Sequence, residues 1–165
     1  MGILYTVWPL DSQMKEWLTS QGIAFPEAAS RWPTKQEVRN ALGSLRGFKV
    51  RYTENGPNAR WDATIESPDV EDLWTLLHAN PESASDSTTH IDFEKGEPGL
   101  IVAILRDLSS ATGPLVLMAD VGGPPLVVSR KYSFQSLMDA FYTVDEESDA
   151  WKQLILGAPG TTESH

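Results

Sequence analysis

An α+β fold, a mixed or mainly antiparallel sheet with helices packed on it, is what this chain of 165 residues predicts. Three observations lead there. Two alternating runs, Phe48–Thr53 and Trp61–Glu66, flank the turn-forming Asn55-Gly56-Pro57-Asn58 and read as a hairpin. A second pair, Leu115–Ala119 and Leu126–Val128, is joined through Gly122-Gly123. Between and after these runs lie segments of helical spacing that carry their own start and stop residues.

The elements follow in order. Ile3–Trp8 is β-branched and aromatic, ends at Pro9, and reads as a strand. Asp11 caps a helix with Met14, Trp17 and Leu18 on one stripe, and Gly22 stops it. Residues 23–33, with Pro26 and Pro33, read as loop. Thr34-Lys35-Gln36-Glu37 has the spacing of a capping box, and Val38, Ala41, Leu42 and Leu45 continue it as a helix. After the hairpin, Ser67-Pro68 reads as a helix start, with Val70, Leu73, Trp74 and Leu77 as the buried stripe and His78 near the C-terminal end, where the helix dipole would stabilise an imidazolium. Asn80–Thr89 is rich in Ser and Asp and reads as an exposed loop.

His90–Glu94 alternates as a strand with Ile91 and Phe93 inward. Pro98 opens a helix through Ile101, Ile104, Leu105 and Leu108 whose wide apolar stripe implies that it lies well covered, and Gly113-Pro114 ends it. Leu115–Ala119 does not alternate, as expected of a strand buried on both faces. Ser133 caps a helix through Phe134, Leu137, Met138 and Phe141, and a last helix carries Trp151, Leu154 and Ile155 to Gly157. One domain over residues 1–157 with a flexible tail at 158–165 is the expected organisation.

Composition sets further limits. Hydrophobic residues make up 41% of the chain, enough for a core. There is no cysteine, which excludes disulfides, Cys-bound zinc, iron–sulfur clusters and a thiol nucleophile. The net charge is −10, and it is uneven. Residues 1–60 hold eight Lys/Arg and five Asp/Glu, whereas residues 61–165 hold five and eighteen, a balance of −13. Such a chain repels phosphate, which argues against nonspecific nucleic-acid binding and against anionic membrane surfaces. It suits a basic partner, because complementary charge speeds encounter. Met1–Leu10 lacks a basic leader region and no apolar stretch approaches the roughly 20 residues of a membrane helix, so a soluble cytoplasmic protein is expected.

Motifs for chemistry are sparse. There is no Walker-type or dinucleotide-binding glycine pattern, no G-x-S-x-G and no H-E-x-x-H, and no cofactor is implied. The prolines after Gly122-Gly123 remove the amide donors that a phosphate cradle needs, leaving a turn. His90, Asp92 and Glu94 share one face of a strand about 7 Å apart, and Asp62 and Glu66 fall on the same sheet face. With ligands from a neighbour they would form a metal or acid–base site; as one strand alone they read as the wet side of a sheet. Asp120 follows an apolar strand, where carboxylates often serve sites, but its Gly-rich context favours a turn. Trp17, Trp61, Trp74 and Trp151 read as core, while Trp8 and Trp32 neighbour prolines and, if exposed, would be contact anchors.

The −13 balance, the acidic runs Asp69–Asp72 and Asp145–Asp149 and the missing catalytic motif together resemble the immunity proteins of bacterial polymorphic toxin and contact-dependent inhibition systems. The resemblance implies a cytosolic α+β antagonist that occupies the active site of a basic toxin or effector and is not an enzyme. The acids of the two runs, Asp69, Glu71, Asp72, Asp145, Glu146, Glu147 and Asp149, are the expected partner contacts. Two alternatives stand beside it: a small metal-dependent or acid–base enzyme using His90, Asp92 and Glu94, and a chaperone or adaptor for a secreted effector.

Overall fold

The computed structural model describes residues 3–54, 56, 59–71, 73–81 and 88–141. The elements are β1 (Leu4–Pro9), α1 (Ser12–Ser20), α2 (Lys35–Gly43), β2 (Lys49–Glu54), β3 (Trp61–Glu66), β4 (Trp74–Pro81), β5 (Thr88–Gly96), α3 (Pro98–Thr112), β6 (Leu115–Ala119), β7 (Leu126–Val128) and α4 (Phe134–Ala140). The seven strands form one sheet in the order β2-β3-β4-β5-β1-β6-β7, with every neighbouring pair antiparallel. The fold is α+β, as the sequence predicts. The expected helix through Trp151 and the tail 158–165 lie outside the described residues.

Alternation decides which face of the sheet each side chain joins. Tyr5 and Val7 of β1, Trp61, Ala63 and Ile65 of β3, Leu77 and Ala79 of β4, Ile91 and Phe93 of β5, and Leu115 and Leu117 of β6 enter one core with α2, α3 and α4. Helix α3 occupies the middle of that layer: Leu100, Ile101, Val102, Ala103, Ile104 and Leu105 are all fully buried. A helix apolar all round is stable only when it is covered all round. Its start is fixed by the side chain of Glu97, which accepts from the Gly99 amide, with Pro98 in the first turn. On the opposite face a second, smaller cluster forms from Leu10, Leu18, Val116 and Val127, with Met14, Ile23, Phe25 and Met118 packed against it. Helix α1 thus covers the β6–β7 end of that face, and β6 is buried on both sides as its unbroken apolar run implies.

Several local expectations hold in atomic detail. Asp11 caps α1 by accepting from Met14 N. Thr34 and Glu37 form the reciprocal capping box of α2. The hairpin pairs Val50 with Ile65 and Tyr52 with Ala63.

The helix expected over residues 67–77 does not form. Ser67 Oγ does accept from the amides of Asp69 and Val70, as a cap would. The chain then closes a single turn, with Leu73 N donating to Val70 O and Ser67 N to Leu73 O. From Trp74 onward it is strand β4, paired with β3 and β5 on its two sides. Leu73 and Leu77 satisfy a four-residue helical spacing, but Thr75 and Ala79 are buried with them, which is the period of a strand. Two consequences follow. His78 lies in the middle of the sheet and not at a helix end, and Trp74 is half-buried on a strand and not on a helical stripe. The expected loop at 80–89 also shortens: Asn80, Pro81, Thr88 and Thr89 are strand residues, and 82–87 lie outside the described residues.

Strand β5 leaves the sheet through two left-handed residues, Lys95 (φ 59°) and Gly96 (φ 96°). A Cβ on Gly96 would collide with the Trp74 carbonyl, whereas one on Gly22 (φ 72°) would meet open space. Gly22→Ala is therefore expected to cost about 1 kcal/mol, the left-handed penalty alone. Gly96→Ala adds a backbone collision and is expected to cost about 3 kcal/mol or more. Urea unfolding of the two variants checks this, and equal costs would contradict the close approach.

Candidate functional site

Apart from the β6–β7 end, the second face of the sheet has no helix packed on it among the described residues. What lies there follows from the register. Thr53 pairs with Asp62, Asp62 with His78, His78 with Asp92, Asp92 with Thr6, and Thr6 with Met118. One cross-strand row therefore carries Asp62, His78 and Asp92 side by side. His90 and Glu94 flank Asp92 along β5, so the His90-Asp92-Glu94 face is real and gains two residues from β3 and β4.

The row is tightly coupled. His78 Nδ1 lies 2.5 Å from Asp62 Oδ1 and 2.7 Å from an Arg60 guanidinium nitrogen, and Arg60 Nε donates to Asp62 Oδ1 at 3.1 Å. Burial pushes the Asp62 carboxyl up, but hydrogen bonds from His78 and Arg60 outweigh it and hold the group below the ordinary carboxylate range. His90 Nε2 approaches Asp92 Oδ1 to 2.8 Å, and His78 Nε2 approaches Glu94 Oε1 to 3.7 Å. The first lacks the alignment of a hydrogen bond and the second is too long for one, so His78 Nε2 and Asp92 Oδ1, both shielded from solvent, have no hydrogen-bond partner among the described residues. His78 as a whole is only 8% exposed. No group of three or more His, Asp or Glu side chains among the described residues is arranged to hold a metal ion. The row thus sets the hydrogen-bonded Asp62–His78 pair beside an Asp92 that His90 approaches, with Glu94 exposed at its edge.

Next to this row opens a cleft of about 370 Å³. It lies between Trp8, Trp17 and Trp32 and is lined further by Met14, Met118, Pro9, Gln13 and Asp11. Trp8 shares the open face with Thr6, one pleat away from Asp92's neighbour, and its ring pairs with that of Trp32 at 5.9 Å. Trp8 is 38% exposed and Trp17 40% exposed, so the stripe expected to bury Trp17 buries Leu18 instead. Trp8 thus meets the exposure that the contact-anchor expectation requires, as does Trp17, whereas Trp32 is half-buried and packs against the main core. Trp61 is core as expected.

Trp32 sits on the long loop 23–33, and that loop is held at each step. Ser30 Oγ accepts from Leu10 N and donates to Pro114 O. Arg31 N donates to Thr112 O, and the Arg31 guanidinium grips Glu37 with two bonds of 2.7 Å while also reaching Ala111 O. Thr88 donates to Pro33 O through both its amide and its hydroxyl. Glu37 joins the loop to the α2 cap, since it also accepts from Thr34 N. The Arg31 hydrogen bonds outweigh burial and hold its carboxyl at about 2.

Other expected contacts lie elsewhere. Asp69 and Glu71 are exposed in the turn before β4, at the end of the sheet away from Trp8. Asp72, Asp145, Glu146, Glu147 and Asp149 lie outside the described residues. Asp120 is an exposed turn residue whose amide donates to Leu4 O. No helix among the described residues is long and apolar enough to cross a membrane. Comparison with known protein families, with curated proteins and with solved structures finds no match to this chain.

The clamp on the Trp32 loop has a pH signature. Glu37 titrates lower in the folded chain, about 2, than its ordinary value of 4.5. Its stabilising contribution is therefore complete above about pH 4.5 and is lost as pH falls toward 2. Glu37→Gln keeps the capping geometry but not the charge. It is expected to be less stable than the parent at pH 7, with the gap between their urea midpoints closing near pH 2. A gap that is constant with pH would contradict the ion pair's role.

Proposed function

We propose that the chain is an acidic protein-binding antagonist, of the immunity-protein kind, that holds a basic toxin or effector on the open face of its sheet. The observation that carries this reading is the tryptophan cleft: three indoles and two thioethers gathered beside a carboxylate, with no Lys or Arg lining it among the described residues. Exposed tryptophans grouped in one depression are the residues that concentrate binding energy at protein interfaces. The net charge of −10 supplies long-range attraction for a basic partner, and Asp11, which lines the cleft, and Asp92, opposite Thr6, place part of it there. The contact surface proposed is thus the β1–β5 face with α1, and the acids Asp69 and Glu71 act at most through the general field.

The acid–base enzyme reading has one observation of its own, the coupled Asp62–His78 pair with Asp92 beside it. A substrate would have to reach His78 Nε2, and that atom is shielded from solvent. Protein binding is therefore the reading favoured here. A chaperone would use the same cleft but leave its partner active.

The test is co-expression with a basic toxin domain encoded beside this chain, scored by growth and by affinity of the purified pair. The expected result is rescue of growth and a complex that weakens with added salt. Trp8→Ala and Trp17→Ala, both at exposed positions, are each expected to weaken binding by about 2 kcal/mol, roughly 30-fold, with unchanged circular dichroism. Binding without rescue would favour the chaperone, and binding indifferent to both substitutions would remove the cleft from the account.

A further inference from the structure

We infer that the tryptophan cleft is a receptor for a single arginine side chain. The inference deepens the antagonist reading and rests on it for the partner's being a protein. Its basis is the composition of the cleft. Indole faces attract cations through their quadrupole, most strongly among the aromatic side chains. Trp8, Trp17 and Trp32 all line one space, with the Trp8 and Trp32 rings tilted against each other at 5.9 Å. The thioethers of Met14 and Met118 are soft, adaptable surfaces for an aliphatic stem. Among the described residues Asp11 is the one charged residue lining the space. One of its oxygens accepts from Met14 N, so the carboxylate is held in place by its own capping role.

The surroundings favour positive charge as well. Asp92 lies beside Thr6, one pleat from Trp8. Nearby basic groups have partners already: Lys15 approaches Glu27 at 3.9 Å, and His90, which the β1–β5 register sets next to Trp8, approaches Asp92 at 2.8 Å. A guanidinium fits this set better than an ammonium. It is planar, weakly hydrated and able to stack on an indole while offering two donors to one carboxylate. A purely apolar side chain would use the rings and thioethers but leave the Asp11 charge unanswered.

The inference can be tested on the full chain without a partner protein. The probes are n-butylguanidinium and its neutral isostere n-butylurea, titrated while the six indole N–H signals are followed by NMR, each assigned by Trp→Phe substitution. Butylguanidinium is expected to shift the Trp8, Trp17 and Trp32 signals together, and butylurea to bind about fivefold more weakly. Asp11→Asn, which preserves the cap, is expected to remove most of that preference. Equal binding of the two probes would overturn the inference in favour of a plain apolar groove, and so would the absence of any shift at these three indoles. Because no partner is involved, failure here leaves the growth-rescue result untouched, and failure of rescue leaves this titration untouched.

Discussion

Helix α3 must be surrounded, and the rest of the architecture adjusts to that. From Leu100 to Leu105 it presents no polar side chain, and each of these residues is removed from water. Fully burying a large aliphatic side chain is worth about 1.5–3 kcal/mol, so leaving one flank of this helix wet would give up much of a domain's net stability. One sheet face, with α2 and α4 alongside, supplies the cover. That face is thereby consumed. Helix α1 is left to pack on the other side, where Leu18 meets Val116 and Val127, and it reaches only the β6–β7 end. Among the described residues the remaining strands keep a face without a helix packed on it, and the cleft forms at the boundary between the two parts.

That boundary explains why the cleft is aromatic and yet ordered. Trp8 is carried by a central strand, Trp17 by a capped helix, and Trp32 by a loop pinned through Ser30, Arg31 and Thr88. The Asp62–His78–Asp92 row has a different character. The Asp62–His78 hydrogen bond joins β3 to β4, while His90 approaches Asp92 within β5.

The parts legible in the sequence are those with local causes. The capping box at Thr34–Glu37, the hairpin, the all-apolar α3 and the doubly buried β6 each follow from residues within one element. Residues 67–77 were ambiguous because Val70, Leu73, Trp74 and Leu77 fit a helical stripe after a Ser-Pro start, and only the burial of Thr75 and Ala79 separates the two periods. The competing pull comes from β3 and β5, which offer ladder partners on both sides that no local pattern announces. His78 was missed as a member of the polar row for that reason alone. The His90-Asp92-Glu94 face was readable from alternation. The cleft was not, because it joins segments around residues 8, 17, 32 and 118, and their meeting depends on the pairing of Thr6 with Met118 and on the loop clamp.

The central claim is that the helices close one face of the sheet and leave tryptophans presented on the other. Paramagnetic broadening of the indole N–H signals by a neutral gadolinium chelate measures this directly. The Trp8 and Trp17 signals are expected to broaden strongly and that of Trp61, buried under α2, to stay sharp. Protected Trp8 and Trp17 signals, as sharp as that of Trp61, would contradict the open face on which the binding surface depends.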